Sequence, residues 1–279
     1  MDNWTTVIKP VNSWFNINLR EVWQYRDLVR LFFHRDFVVF YKQTILGPLW
    51  FLIQPLLTTV VYTIIFGKIA NLPTDGIPHI LFYMSGAVIW NYFSLCLTNT
   101  SNTFSQNSAI FGKVYFPRLV MPITSVITNL VTFFIQLLLL LTFWVYYYFY
   151  GSGIHINNML FMFPLLILQM ALLGLGTGVL ISSLTIKYRD LSFVVGFGVQ
   201  LWMYATPIVY PLSMIPEKWQ WLSIINPMTM VVETFRLGFL GSGSFDLMRY
   251  LLSILMTILI FLVGVMLFSR VEKSFIDKI

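Results

Sequence analysis

The side chains able to do acid–base, nucleophilic or metal chemistry are few: 11 acids, three histidines and one cysteine. His34, His79 and His155 lie far apart and share no ligand spacing. With Cys96 alone, neither an intrachain disulfide nor a cysteine-based metal cluster can form. Asp36, Asp190 and Glu233 stand without a second acid or base at catalytic spacing, which favours structural roles for them. The dipeptides Gly67-Lys68 and Gly112-Lys113 lack the following Ser or Thr and the glycine five residues earlier that a phosphate-cradling loop needs. Nothing here hydrolyses a nucleotide, so any active transport must be powered by another chain.

The elements that carry these residues belong to a membrane. Hydrophobic residues make up 58% of the chain and charged residues 10%, with mean hydropathy +0.78; in soluble domains charged residues approach a quarter. Six apolar runs are long enough to cross a hydrocarbon core of ~30 Å: 49–67, 80–97, one within 119–149, 159–184, 193–210 and 247–268. The expected fold is an all-α polytopic membrane domain over 49–279. A tail at 1–19 and an amphipathic segment at 20–48 precede it. Residues 1–48 are too polar for a signal peptide. The third run outlasts one crossing and contains Pro122, so its inner end extends into the interface.

Lys and Arg set the orientation. With the N-terminus inside, only Lys68, Lys218, Arg236 and Arg249 of the 17 basic residues fall outside, which places both termini in the cytoplasm. The net charge of +6 therefore answers acidic lipid and not nucleic acid. No acid occurs between Asp75 and Asp190, and none in the cores of the remaining runs. Ion-driven carriers usually hold an ionisable group at membrane depth, so this pattern disfavours a secondary carrier, carbonyl-only ion sites apart. It equally disfavours a membrane enzyme such as a lipid-linked sugar transferase. A passive scaffold is the residual reading.

Three connections carry the remaining information. In 20–42, Arg20, Gln24, Asp27, Arg30 and His34 gather on one helical face, while Val22, Leu28, Leu31, Phe32 and Val39 cover others; such a helix lies in the interface. A simple positive-inside anchor is the plainer alternative. The 98–117 loop ends in Ile110, Phe111, Lys113, Tyr115 and Phe116 before Arg118, aromatics beside cations that suit either protein docking or seating at headgroups. The 211–246 connection is too apolar for water, with Trp219, Trp221 and Phe235 punctuated by Pro211, Pro216 and Pro227. It is expected to dip into the outer leaflet as short re-entrant helices, one opening at Pro227 with Glu233 and Arg236 as a local pair. Tyr146 to Tyr150 fit an aromatic belt. Tyr62, Phe66, Trp90, Trp202 and Tyr204 lie within runs, where they either pack helices or line a pore whose ring faces suit sugars. Six helices hardly enclose such a pore, so a homodimer is expected.

The motifs Arg35-Asp36-Phe-Val-Val-Phe-Tyr41-Lys42-Gln-Thr-Ile-Leu46-Gly47-Pro-Leu49-Trp50 and Gln54-Pro55-Leu56 resemble the approach to the first span of ABC-2-type polysaccharide export permeases. Lys113 to Arg118 is similar to that family's first cytoplasmic loop and Lys187-Tyr-Arg189-Asp190 to its second. Thr206-Pro207, Ile215-Pro216-Glu217-Lys218-Trp219, Asn226-Pro227-Met228 and Glu233-Thr-Phe-Arg236 resemble its outer gate. The likeness implies the transmembrane subunit of an exporter of lipid-linked glycan in the bacterial inner membrane: O-antigen, capsule or teichoic acid. It implies a homodimer with two separate ATPase subunits, where ATP and Mg bind; no cofactor is expected on this chain. Power would enter through 110–118 and the interface helix with Arg30 and Arg35, sugars would pass the five aromatics named above, and Pro216, Trp219, Pro227, Glu233 and Arg236 would form the gate. A permease for drugs or lipids would share the missing phosphate loop.

Overall fold

The computed structural model describes residues 19–42, 47–151, 153–186, 188 and 190–275. Within them the regular elements are helices. The 1–18 stretch, residues 43–46 of the first motif, and Lys9, Lys187, Arg189 and Lys278 of the orienting charges lie outside the described residues.

The amphipathic segment forms two helices, α1 (Leu19–Gln24) and α2 (Arg26–Lys42), instead of one. The break is at Tyr25, whose amide is shared between the carbonyls of Glu21 and Val22 at 3.3 and 3.1 Å. Gln24, Asp27, Arg30 and His34 are all exposed, as their spacing predicts. On the opposite side Phe32 is buried, and Val22, Leu28 and Val29 pack on the core. Leu31 and Val39 point outward, an apolar surface that a membrane interface would cover.

Among the described residues, five helices are long and apolar enough to cross a membrane. The first is α3 (Trp50–Tyr62), which widens over Thr63–Ile69 until Ala70 N donates to Ile65 O at 2.8 Å. The others are α4 (His79–Ser101), α6 (Val120–Phe149), α7 (Phe163–Thr185) and α11 (Leu247–Phe275). The 30 residues of α6 reach ~45 Å, more than one crossing, as its sequence requires. The chain is thus an all-α polytopic membrane protein. The run expected at 193–210 overlaps α8 (Leu191–Tyr204), whose 14 residues extend only ~21 Å. Its remainder is irregular because Pro207 supplies no amide to a helix and the carbonyls at 207 and 208 are taken by a side chain described below.

One connection that reads as a loop is largely helical, and the one expected to hold short helices holds them. The 98–117 segment is the end of α4, then α5 (Thr103–Phe111). The 211–246 connection folds into α9 (Gln220–Ile225) and α10 (Pro227–Leu240), with 13 of the 14 residues of α10 buried.

Small residues and amides hold the bundle together, as they must where hydrocarbon surrounds the helices. Gly174 and Gly178 let α7 meet α4, and a Cβ on Gly174 would lie 2.6 Å from Cys96 Cβ. Two residues on, Gly176 faces α11, where a Cβ would lie 2.6 Å from the Phe261 Cα. Amides join α4 to α6: Asn91 Nδ2 donates to Gln136 Oε1 at 2.9 Å and Asn99 Nδ2 to Asn129 Oδ1 at 3.2 Å. Gln169 of α7 donates to Ser253 of α11 at 2.6 Å, and Ser253 donates to the Pro227 carbonyl at 2.8 Å, tying α10 to the same seam. Replacing Gly176 by Val should therefore cost roughly 1–3 kcal/mol by overpacking against backbone. Thermal unfolding in detergent should show a lower midpoint, while Gly112→Ala, at a site whose nearest atom is 3.8 Å away, stays at the wild-type value.

Candidate functional site

At the basic end of the bundle, the loop after α5 is built around a chain of rings. Phe268 of α11 stacks on Phe104 at 4.7 Å, Phe104 meets Phe111 at 5.9 Å, Phe111 meets Phe116 at 5.7 Å, and Phe116 meets Phe32 of α2 at 5.9 Å. The guanidinium of Arg118 lies 5.4 Å over Phe111, and that of Arg35 lies 4.7 Å over Phe32. Arg118 also clamps the end of α11. Its backbone amide donates to Glu272 Oε1 at 2.9 Å and its Nη1 to the Glu272 carbonyl at 2.8 Å. Burial lowers the Arg118 pKa from its ordinary value, and the charges of Glu272 and Tyr115 oppose that shift.

These contacts sort the expected docking residues into two groups. Phe111, Phe116 and Arg118 are buried, and Ile110 packs beside them; they shape the loop. Lys113, Val114 and Tyr115 are presented outward, Tyr115 at 75% exposure. Its phenol pKa is raised, first by partial burial and then by the nearby charges of Glu21 and Glu272. Arg30 is exposed on α2, paired at 3.9 Å with Asp27, while Asp36, which reads as a lone acid, bonds the adjacent Arg35 at 2.8 Å. Phe104, Phe268 and Glu272 are absent from the sequence reading because Phe104 and Phe268 are 164 positions apart and no spacing joins them.

At the other end, Arg236 is buried to 1% exposure and satisfied on every side. Nη1 donates to the Pro207 carbonyl at 2.6 Å and Nη2 to the Ile208 carbonyl at 2.8 Å. Nε reaches Ser85 Oγ at 3.3 Å, and the guanidinium lies 3.7 Å over Phe82. Glu233 lies one turn back at 3.9 Å, the local pair expected from sequence, and its Oε2 also accepts from Ser244 N at 3.0 Å. Pro227 opens α10 as expected, but the cap is Asn226: its Oδ1 accepts from Met228 N at 3.1 Å and from Trp202 Nε1 at 2.9 Å, and its Nδ2 donates to Thr206 Oγ1 at 2.8 Å. An Asn-Pro step is a helix-start signal; that the same amide also ends α8 is a tertiary fact.

The five aromatics expected in a pore separate likewise. Trp90 is only 6% exposed and packs edge-on to Trp202, with Phe93 4.9 Å from Trp202. Tyr62 and Phe66 are half-buried, 5.6 Å apart, and the Tyr62 hydroxyl donates to Met203 Sδ at 3.4 Å. Tyr204 is 46% exposed and, with Tyr210, Pro216 and Trp219, lines a cavity of about 490 Å³ beside α9. One residue of the pore set and two of the gate set thus share one cavity. Among the described residues no three His, Cys, Asp or Glu side chains converge as a metal site would need.

The ABC-2 type transporter family model matches residues 27–240. An O-antigen export system permease protein of Klebsiella pneumoniae is 27% identical over 254 residues, covering 90% of this chain and 94% of that protein. One of Myxococcus xanthus is 28% identical, covering 78% and 82%. An inner membrane transport permease of Escherichia coli is 25% identical over 68% of this chain and 75% of its own length.

Two stability contrasts test the division of roles. Phe111→Ala should cost roughly 3–5 kcal/mol, the range for emptying a buried aromatic site, whereas Tyr115→Ala should stay within about 0.5 kcal/mol. Arg236→Met should cost roughly 3–5 kcal/mol because it strands the Glu233 carboxylate and two carbonyls. Thermal or denaturant unfolding of the purified variants reads all three.

Proposed function

The chain belongs to the ABC-2 type transporter family, and from that membership we propose that it is the membrane permease of an ATP-driven exporter of lipid-linked polysaccharide. The observation that carries this reading is the near-complete overlap with permeases named for O-antigen export, 90% of this chain against 94% of the relative, with the outer connection included. The family assignment and the long apolar helices place it in a membrane. The finer proposals are a bacterial inner membrane, both termini inside and six crossings, the fifth made of α8 and the turn through 210. They extend to a homodimer served by two separate ATPase subunits that bind ATP and Mg.

In this reading the ATPase seats against Lys113, Val114 and Tyr115, with Arg30 contributing from α2. Movement of that loop is carried by the ring chain and the Arg118–Glu272 clamp into α2 and α11, because packed aromatics move as a unit. Glycan passes between two copies along faces bearing Tyr62, Phe66, Trp202 and Tyr204, and leaves by the Pro216–Trp219 cavity. Ring faces contact sugar C–H groups without strong directional bonds, which suits a sliding polymer. Pro227, Glu233 and Arg236 hold the gate helix. The match to the Escherichia coli transport permease keeps a drug or lipid cargo as the second reading.

The purified chain should show no ATP hydrolysis; hydrolysis traceable to it would overturn the proposal. Deleting the chain should make a lipid-linked surface glycan accumulate inside the cell. Tyr115→Asp should reduce export at least tenfold with normal membrane levels, and unchanged export would remove the docking role from this loop.

A further inference from the structure

A second cavity, of about 440 Å³, lies at the basic end between α2, the start of α3, the α4–α5 corner and one face of α6. It is remote from the Tyr204–Trp219 cavity and shares no residue with it. Its lining changes character along α6. Ser125, Thr128, Asn129 and Thr132 follow each other at three- and four-residue spacing as a polar stripe, and Val131 and Ile135 then continue it as an apolar wall with Phe51. Arg35 and Asp36 stand at its mouth on α2.

Ser125 and Thr128 return their hydroxyls to the carbonyls of Met121 and Thr124, at 3.2 and 3.0 Å, but the rest of the stripe is less fully satisfied. Thr132 is only 7% exposed, yet among the described residues its hydroxyl has no hydrogen-bond partner. Asn129 accepts from Asn99 through Oδ1, but its Nδ2 has only the Cys96 sulfur at 3.9 Å, a weak acceptor. Thr132 lines the cavity, so its hydroxyl is available to an acceptor there. At the mouth, Asp36 Oδ1 takes both bonds from Arg35 Nη2 and Nε, at 2.8 and 2.9 Å, bonds in which Asp36 Oδ2 and Arg35 Nη1 take no part.

We propose that this cavity binds one zwitterionic phospholipid of the adjacent leaflet. The charge pair at the mouth sums to zero and offers a donor and an acceptor side by side, which fits a phosphate against Arg35 and an ammonium against Asp36 better than a net-anionic headgroup. Ester carbonyls accept from Thr132 and Asn129, and an acyl chain lies along Phe51, Val131 and Ile135. The order from charge through amide and hydroxyl to hydrocarbon is the order of a phospholipid. Arg35 also covers Phe32, next in the ring chain to Phe116, so the lipid abuts the docking loop.

The site is independent of the cargo, and its test needs no transport. The detergent-extracted protein is exchanged into phosphatidylethanolamine or phosphatidylglycerol and analysed by native mass spectrometry. One phosphatidylethanolamine per chain should survive activation that strips phosphatidylglycerol. Thr132→Val, nearly isosteric, should cut retention at least threefold, and Thr132→Ser should restore it. Asp36→Asn should abolish the preference between the two lipids. Equal retention of both lipids by the wild type, or wild-type retention by Thr132→Val, would overturn the proposal.

Discussion

A guanidinium that has lost its water must find its donors' partners inside the protein, and Arg236 finds them on two separate stretches of chain. Two are carbonyls at residues 207 and 208, one is the hydroxyl of Ser85, and the ring of Phe82 covers its face. The charge thus converts irregular backbone, which hydrocarbon does not tolerate, into a satisfied structure. It also forbids a side chain on Gly86, whose Cβ would lie 2.9 Å from Nη2. Buried ion pairs are weak evidence of stability in themselves. Their value here is geometric, since α10 can occupy only the position in which Arg236 is fully bonded.

Asn226 repeats this economy with neutral groups. One amide begins α10, ends α8 and positions Trp202. The indole in turn meets Trp90 and Phe93 on α4. The far end of the bundle is therefore a single bonded unit of α4, α8 and α10, joined to α11 through Ser253. The basic end is assembled differently, from stacked rings and one arginine clamp.

Much of the fold was legible in the sequence. The apolar runs marked five helices and their order, the three- to four-residue spacing of Gln24, Asp27, Arg30 and His34 marked the exposed face of α2, and Pro227 marked the start of α10. Less legible were the helix α5 and the break at Tyr25, because propensity in polar connections is weak and tertiary contacts decide. The fifth apolar run outlasts its helix: α8 covers only residues 193–204 of the 193–210 run, because Pro207 and the Arg236 bonds intervene.

The candidate sites divide in the same way. Residue types alone determined that the chain is membrane-embedded, that it lacks a phosphate-binding loop, and that aromatics beside cations gather in the 110–118 loop. Which of those aromatics faces outward was settled only by packing: Phe111 and Phe116 turn into a ring chain reaching Phe268, and Tyr115 is left outside. The physical reason is that composition records how much surface a residue would hide, whereas the partners that hide it stand far off in sequence, Phe32 beside Phe116 and Phe268 beside Phe104. Burial is a property of the pair, and the pair exists only once the chain has folded.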